Sequence, residues 1–551
     1  MHQALQIPSL LRSIFRHLRL DEDKQGCINA ALTCRAFRDP AEDELWRELD
    51  CGLVPLFKLI SNFKEGTGSS SGIYFVRGAV TPVDVERMKL FSRRVRVLTY
   101  AERSKLGGLV DSSAAVTIAP ALQGQFLFPN LKTLRCDLQG DSNAILPLCI
   151  SPGLKTLDIA TYYCAAIEST WAEGVSYFVQ TLADANIQLF HLRLDIPCTL
   201  TLLNGVQSSF SQLRSLQISL GPDSERMVDI SFLRALTEFN HLDDLSLQFN
   251  FFDAFPALGV ENHPKLTFKQ VLQLQITCPL DDVLTFLAIT SFPSLAYFYF
   301  DFILPLSLET SYQYDWKRLL ETIHDMSSPS IVRGVSLDPW RTAWSQNEGR
   351  YDMFRMTNPG VAFEDLSELL LRFKLEEFIC PFPLFRSLTM DDLKSITNAW
   401  EKIRVLYLFT AEPNTVGLDA LHHIASTLPC IFNLSMSVNA SFGEMNDTPA
   451  RFGQSLKVLT LRFYRYNEDI SLVSRLAYHV DALFPNINIC YEMDECWEDN
   501  DDDGTAFTQL VRIIQKARER ERNQKTAGGR ALETYQVYEY PSEQIPPLGS
   551  F

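Results

Sequence analysis

Chemistry at a metal needs ligands that converge, and His422-His423 is the first pair to weigh. Adjacent residues on a helix point about 100° apart, so these imidazoles make a poor pair for one ion. The 12 cysteines are scattered and none forms a C-x-x-C pair, which argues against zinc sites and a dense disulfide framework. A reducing compartment, cytoplasmic or nuclear, is the simplest reading of that usage. H-E-x-x-H, G-x-S-x-G and G-x-G-x-x-G are absent, and the carboxylates carry no spacing that singles out an acid–base pair. SNFKEGTGSSSG, residues 61–72, reads as a flexible loop and lacks the Gly-Lys-Ser/Thr ending of a phosphate-binding loop. Asn433, Asn439 and Asn446 open N-x-S/T sequons, expected to be chance matches without a secretory signal. These residues predict a protein that is not an enzyme and uses no cofactor or metal. What remains is binding, and binding depends on the elements that present a surface.

The chain has 551 residues, 46% of them hydrophobic and 21% charged, enough for more than one domain or one elongated array. Its formal net charge is −17. That charge repels phosphate backbones and anionic membranes, unless a local basic patch overrides it. No run approaches the ~20 apolar residues that a membrane span needs. Arg12, Arg16 and His17 interrupt the N-terminal apolar run, which excludes a signal peptide and leaves a mitochondrial presequence as a competing reading.

Ile7, Leu11, Ile14, Phe15 and Leu18 recur at helical spacing behind Pro8. A second helical run contains Ile28, Ala31, Leu32 and Phe37. In LTCRAFRDPAEDELWREL, residues 32–49, Asp39, Pro40 and Glu42 have the types and order of a helix start, and Cys51-Gly52 just beyond it those of a stop. A third helix is therefore expected over 40–50. Three helices in about 45 residues make a thin core that gains from a partner.

These residues resemble the F-box motif. Ile7-Pro8 stands for its opening Leu-Pro, Leu11, Ile14-Phe15 and Leu18 for its I-F-x-x-L element, and Leu45-Trp46 for its closing pair. Cys34-Arg35-Ala36-Phe37 sits where the family has a V-C-R-x-W-like segment. Leu10 stands where many members carry Glu, and Phe37 where many carry Trp. The resemblance implies that the three helices dock on a Skp adaptor, which joins a cullin–RING ubiquitin ligase. It assigns the adaptor contact to Ile7, Pro8, Leu11, Ile14, Phe15, Leu18, Leu32, Leu45 and Trp46. The bland reading is a three-helix cap on a larger domain.

From 81 onwards one phrase returns, with skeleton L-x-x-L-x-L: FPNLKTLRCDL at 128, SPGLKTLDIAT at 151, FSQLRSLQISL at 210, FPSLAYFYFDF at 292 and QSLKVLTLRF at 454. Its last two apolar positions share one side of a strand. Amphipathic helical runs such as WKRLLETIHDM at 316 and FEDLSELLLRF at 363 lie between copies. Strand plus helix at this period resembles a leucine-rich-repeat solenoid, in which neighbours must stack to bury their apolar edges. The Asn or Cys expected after the third leucine is mostly missing, and an ordinary α/β domain with a parallel sheet is the competing reading. The predicted fold is α/β: an N-terminal three-helix F-box, then a leucine-rich-repeat-like solenoid with parallel strands on its concave face. Residues between the inward positions then face a partner: Arg135, Asp137, Asp158, Arg193, Asp195, Gln248, Tyr299, Asp301, Asp338, Tyr407 and Arg462. Of these, Arg135, Asp158, Arg193, Asp195, Tyr299, Asp301, Tyr407 and Arg462 are the chosen candidates for binding a protein target.

The expected organisation is a helical unit over 1–52, a linker over 53–80, the solenoid over 81–491, an acidic loop over 492–504, an amphipathic helix over 505–523 and a disordered tail over 524–551. That last helix either caps the open end of the solenoid, the favoured reading, or folds its arginines onto the acidic run. The whole is similar to fungal F-box, leucine-rich-repeat proteins. The resemblance implies a substrate receptor of a Skp–cullin–F-box ubiquitin ligase. Alternatives are a Skp-bound scaffold without ligase output and a free repeat-based binding module. The expected partners are the Skp adaptor, the cullin–RING complex behind it and an unknown protein target. Nucleic acid and membrane are not expected.

Overall fold

The computed structural model describes residues 7–20, 24–50, 52–66, 72–101, 109–138, 142–161, 168–196, 198–219, 230–249, 265–303, 315–339, 360–412, 416–439, 455–464, 470–487, 489–492, 510–518 and 520. The acidic stretch 493–503, Phe507, Asn446 and the tail from 524 lie outside them. The chain divides into two compact units, Met1–Arg386 and Ser387–Phe551.

The first unit opens with three helices, α1 (Pro8–Leu20), α2 (Lys24–Thr33) and α3 (Arg35–Leu45). Leu11, Phe15, Cys27 and Ala41 form their small core, with Leu18, Ala30, Ala31, Phe37 and Leu45 packed against it. The Phe15 and Phe37 rings meet edge to face at 5.8 Å. The third helix begins five residues before the expected start. Its N-cap position is Cys34, and Pro40 lies inside it. An interior proline costs a hydrogen bond, which the cap signature at Asp39-Pro40 would have avoided. Tertiary burial decides instead, since Pro40, Ala41 and Glu44 are all buried. The helix also stops early, because Glu48–Leu49 already forms a strand, β1, paired in parallel with Val97 and Leu98.

The stretch expected as a linker over 53–80 is structured at both ends. It holds a short helix, α4 (Val54–Phe57), and two antiparallel strands, β2 (Phe63–Glu65) and β3 (Ile73–Val76). The Phe63 and Tyr74 rings stack at 5.3 Å across that pair, and Phe57 meets Phe63 edge-on. Residues 67–71, the Gly/Ser run, are outside the described residues. Helix α5 (Pro82–Ser92) starts as its sequence dictates. Thr81 and Asp84 close a reciprocal capping box, with Pro82 behind it.

Beyond α5 the first unit repeats strand and helix. Strands β1, β4 (Val97–Ala101), β6 (Thr133–Leu138), β7 (Thr156–Thr161), β8 (His191–Asp195) and β9 (Ser215–Ser219) lie side by side, while β5 (Leu109–Val110) pairs in parallel with β3. They continue into β10 (Asp244–Gln248), β12 (Gln273–Cys278), β14 (Tyr297–Phe302), β15 (Gly334–Pro339) and β16 (Glu377–Ile379), with β11 (Leu266–Thr267) and β13 (Thr290–Ser291) forming a separate parallel pair. Each observed pairing in this row is parallel. Helices such as α6 (Ser112–Ala121), α7 (Glu168–Asp184), α8 (Leu200–Ser209), α9 (Ile230–Thr237), α10 (Leu280–Ile289) and α11 (Trp316–Met326) connect successive strands, and α7–α8, α8–α9 and α10–α11 contact one another. The result is a solenoid-like stack.

The repeated phrase maps directly onto this core. Leu131 and Leu134, Leu154 and Leu157, Leu213 and Leu216, and Leu295 and Phe298 are buried, as are Ile159, Ile218 and Phe300 two residues further on. One copy cannot bury these side chains alone, so each rests on its neighbours. The missing Asn ladder has a backbone counterpart. One carbonyl per repeat accepts from two N–H groups of the next: Lys132 and Thr133 donate to Arg96, Lys155 and Thr156 to Lys132, and Ala296 and Tyr297 to Leu272. That seam satisfies amides just ahead of each strand without any particular side chain.

The second unit carries parallel strands Val405–Leu408, Asn433–Asn439, Val458–Tyr464 and Ile489–Glu492, with helices Met390–Ala399, Asp419–Thr427 and Ile470–Leu483. The helical segment 510–518 buries Val511, and Arg518 pairs with the buried Asp481 carboxylate on the Ile470–Leu483 helix. Arg518 Nη1 also donates to the Asp481 carbonyl at 3.2 Å. The segment is thus docked on the Ile470–Leu483 helix.

Candidate functional site

Two surfaces qualify, both in the first unit, and a third small group lies in the second. The helical surface is sorted by α1. Leu11 and Phe15 face inwards and are buried, and Leu18 packs beside them. Ile7, Leu10 and Ile14 form a second stripe at helical spacing and are exposed. On α2, Ile28 and Leu32 are one turn apart and exposed, Leu32 to 81%. Of the residues expected to meet an adaptor, Ile7, Ile14 and Leu32 are therefore presented. Leu11 and Phe15 are spent on the core, and Leu45 packs against it. Pro8 opens α1. Trp46 turns the other way and packs, with rings tilted, on Phe91 of α5 at 4.8 Å, fixing the three helices to the first repeat. Leu10 and Ile28 were legible only as apolar residues at helical spacing, and their outward direction needed the fold.

The three helices are held to the array by Arg94, just past α5. Its guanidinium is 8% exposed and pairs with Asp39 and Glu42 at 3.1 Å each, and with Asp43. It also donates to the Asp39 carbonyl at 3.1 Å.

The second surface is the polar side of the parallel strands. Register aligns Thr99, Arg135, Asp158, Arg193, Gln217, Ser246, Gln275, Tyr299 and Ser336 in one row across the sheet. The next row runs Ala101, Asp137, Ala160, Asp195, Ser219, Gln248, Thr277, Asp301 and Asp338. Arg135, Asp158, Arg193, Asp195, Tyr299 and Asp301 thus lie on one face, as the alternation predicts. Arg193 sits 3.6 Å from Asp158. Burial nevertheless pushes the Asp158 carboxyl up, against the pull of Arg193 and Arg135. Gln275 donates to Asp301 at 2.7 Å.

A preceding row, unselected from sequence, contributes His191, Asp244, Tyr297 and Glu377. Its signal was present, since each of these residues precedes the second apolar position of its phrase. Tyr297 and Tyr299 stack at 6.4 Å. Burial, with the charge of Glu377, Tyr297 and Asp244 behind it, pushes the Tyr299 phenol up to about 12. Gly334 makes room for this pair, because a Cβ there would stand 2.4 Å from Tyr297 Cδ1.

Tyr407 and Arg462 belong to the second unit. Both are partly buried, and the Tyr407 hydroxyl accepts from Asn433 Nδ2 at 3.2 Å. His423 Nε2 lies 2.9 Å from Thr397 Oγ1, a contact within the helical layer. No helix among the described residues is long and apolar enough to cross a membrane.

No protein-family model matches the chain. No curated protein matches it. Among solved structures, the complex of Rad7 and Elc1 in yeast aligns at 12% identity over 68% of this chain and 83% of that one, with a TM-score of 0.33. At that score the likeness carries no argument about function.

Proposed function

We propose that the chain is a substrate receptor of a Skp–cullin–F-box ubiquitin ligase. The three N-terminal helices meet the Skp adaptor, and the polar strand face of the array holds a target protein. One observation carries the adaptor half. The three-helix unit has a very small core yet presents Ile7, Leu10, Ile14, Ile28 and Leu32 to solvent. Apolar stripes of this kind mark a surface that a partner covers. The mechanism is proximity: one end engages the ligase scaffold and the other raises the target's effective concentration beside it.

The test is a titration of purified Skp adaptor into the intact chain and into an Ile14→Asp, Leu32→Asp variant. Both positions are exposed, so the variant keeps its core. Saturable binding that weakens by at least about a hundredfold in the variant supports the reading, since central apolar anchors carry ~2 kcal/mol or more each. Binding without cullin recruitment would leave a Skp-bound scaffold. No binding would favour the reading in which the helices merely close the first repeat, for which the Arg94 cluster and the Trp46–Phe91 contact speak.

A further inference from the structure

A cavity of about 610 Å³ opens where the three helices meet the first repeat. Its walls are Arg12 and Arg16 of α1, Asp39, Asp43 and Glu44 of α3, Arg47, the α5–β4 corner with Arg93, Arg94 and Arg96, and Asn130. Six guanidiniums face three carboxylates there, although the chain as a whole carries −17.

The carboxylates do not use up these cations. Arg94 is engaged through both terminal nitrogens by Asp39, Glu42 and Asp43 and serves as the structural link. Glu44 is shared between Arg47 at 3.4 Å and Arg16 at 4.0 Å. Arg12 reaches Asp43 only at 3.7 Å and is 56% exposed. Among the described residues, Arg93 and Arg96 have no carboxylate within pairing distance; Arg96 Nη1 donates to the carbonyls of Arg93 and Asn130, both at 3.3 Å. The corner is therefore a positive pocket with donors left over.

We infer that this cavity binds a small polyphosphorylated molecule. Guanidinium forks match phosphate oxygens in pairs, which ammonium groups do not. The volume falls in the ~300–1,000 Å³ range of small-molecule sites, beyond what a single phosphate fills. Extended nucleic acid is disfavoured, because the charge outside the pocket repels a long polyanion. Such a ligand touches α1, α3 and the α5–β4 corner at once, so its binding tightens the hold of the helices on the array. This assignment does not depend on the ligase reading.

The test is calorimetric titration of the full chain with inorganic pyrophosphate at about 150 mM salt, where loose surface attraction is screened. One-site binding is expected. Arg93→Gln with Arg96→Gln should weaken it at least about tenfold with the unfolding midpoint unchanged. If that pair destabilises the chain, the exposed Arg93→Gln alone should still weaken it. Removing two arginines elsewhere, Arg333→Gln with Arg372→Gln, should leave it intact. Absence of binding, or equal weakening by both pairs, overturns the site. Tighter binding of a doubly phosphorylated peptide than of pyrophosphate overturns the small-ligand assignment.

Discussion

Replacing Arg94 by methionine removes a cation that three carboxylates of one helix share. The magnitude follows from burial. Arg94 and Glu42 are 8% and 16% exposed, so their contact is worth roughly 1.5–3 kcal/mol as a hydrogen bond between charges. Asp39 is 83% exposed, so its contact adds only roughly 0–1 kcal/mol. Asp43, at 37%, lies between these cases. Methionine keeps part of the stem's packing, but the carboxylates lose their shared counter-ion and repel one another. The net cost is about 3 kcal/mol, at the lower end of the ~3–5 kcal/mol for breaking a buried pair. It falls on the attachment of α3 to the array and not on the array itself. Hydrogen exchange reads this directly. Amides of 35–45 should open roughly a hundredfold more often, with those of β6–β10 unchanged. Adding Asp39→Asn, Glu42→Gln and Asp43→Asn to the methionine variant should restore most of the protection, since the cost is that of uncompensated charge. Protection of 35–45 within about threefold of the parent would refute the clamp.

Three further outcomes are expected. The Thr81 hydroxyl at 2.6 Å and the Ser61 amide and hydroxyl pull the Asp84 carboxyl down from 3.8 to about 2, against the upward push of burial. The folded value is the lower one, so the stabilisation is present above pH 3.8 and is lost as pH falls through about 2. Asp84→Asn should lower the unfolding midpoint near neutrality and flatten its fall across that acid window, as followed by circular dichroism. Arg518→Ala leaves Asp481, 1% exposed, without that cation; because Arg518 is itself 28% exposed, about 2 kcal/mol is the expected cost. Limited proteolysis should then cut within 510–518 faster, with the other repeats still resistant. Gly360 has φ +65°, and a Cβ there would lie 2.5 Å from the Phe385 carbonyl carbon and the Arg386 nitrogen. Gly360→Ala combines left-handed strain with a backbone clash, so a loss above about 2 kcal/mol is expected in urea unfolding.

The strand phrase shows how far local pattern reaches. Alternation has a period of two, and a slip of one residue would turn every buried leucine outwards. For that reason Arg135, Asp158, Arg193, Asp195, Tyr299 and Asp301 could be placed on one face before any coordinates. The start of α5 is equally local, because Thr81 and Asp84 satisfy each other within one turn and Pro82 has no N–H to leave unpaired there. Helix α3 shows the limit. Asp39-Pro40 is a good start signal, yet burying Pro40, Ala41 and Glu44 against the neighbouring helices outweighed it.

The sequence by itself determined the order of strands and helices and which strand residues share a side, because both follow from periodicities within a few residues. Tertiary structure alone decided which stripe of α1 is core and which is surface, since apolar residues lie on both. It also decided that Arg94 meets α3 across more than 50 residues of chain, that Gly334 yields its space to Tyr297, and that six arginines surround one cavity. These are meetings between distant segments, and no local period encodes which side chains such a meeting brings together.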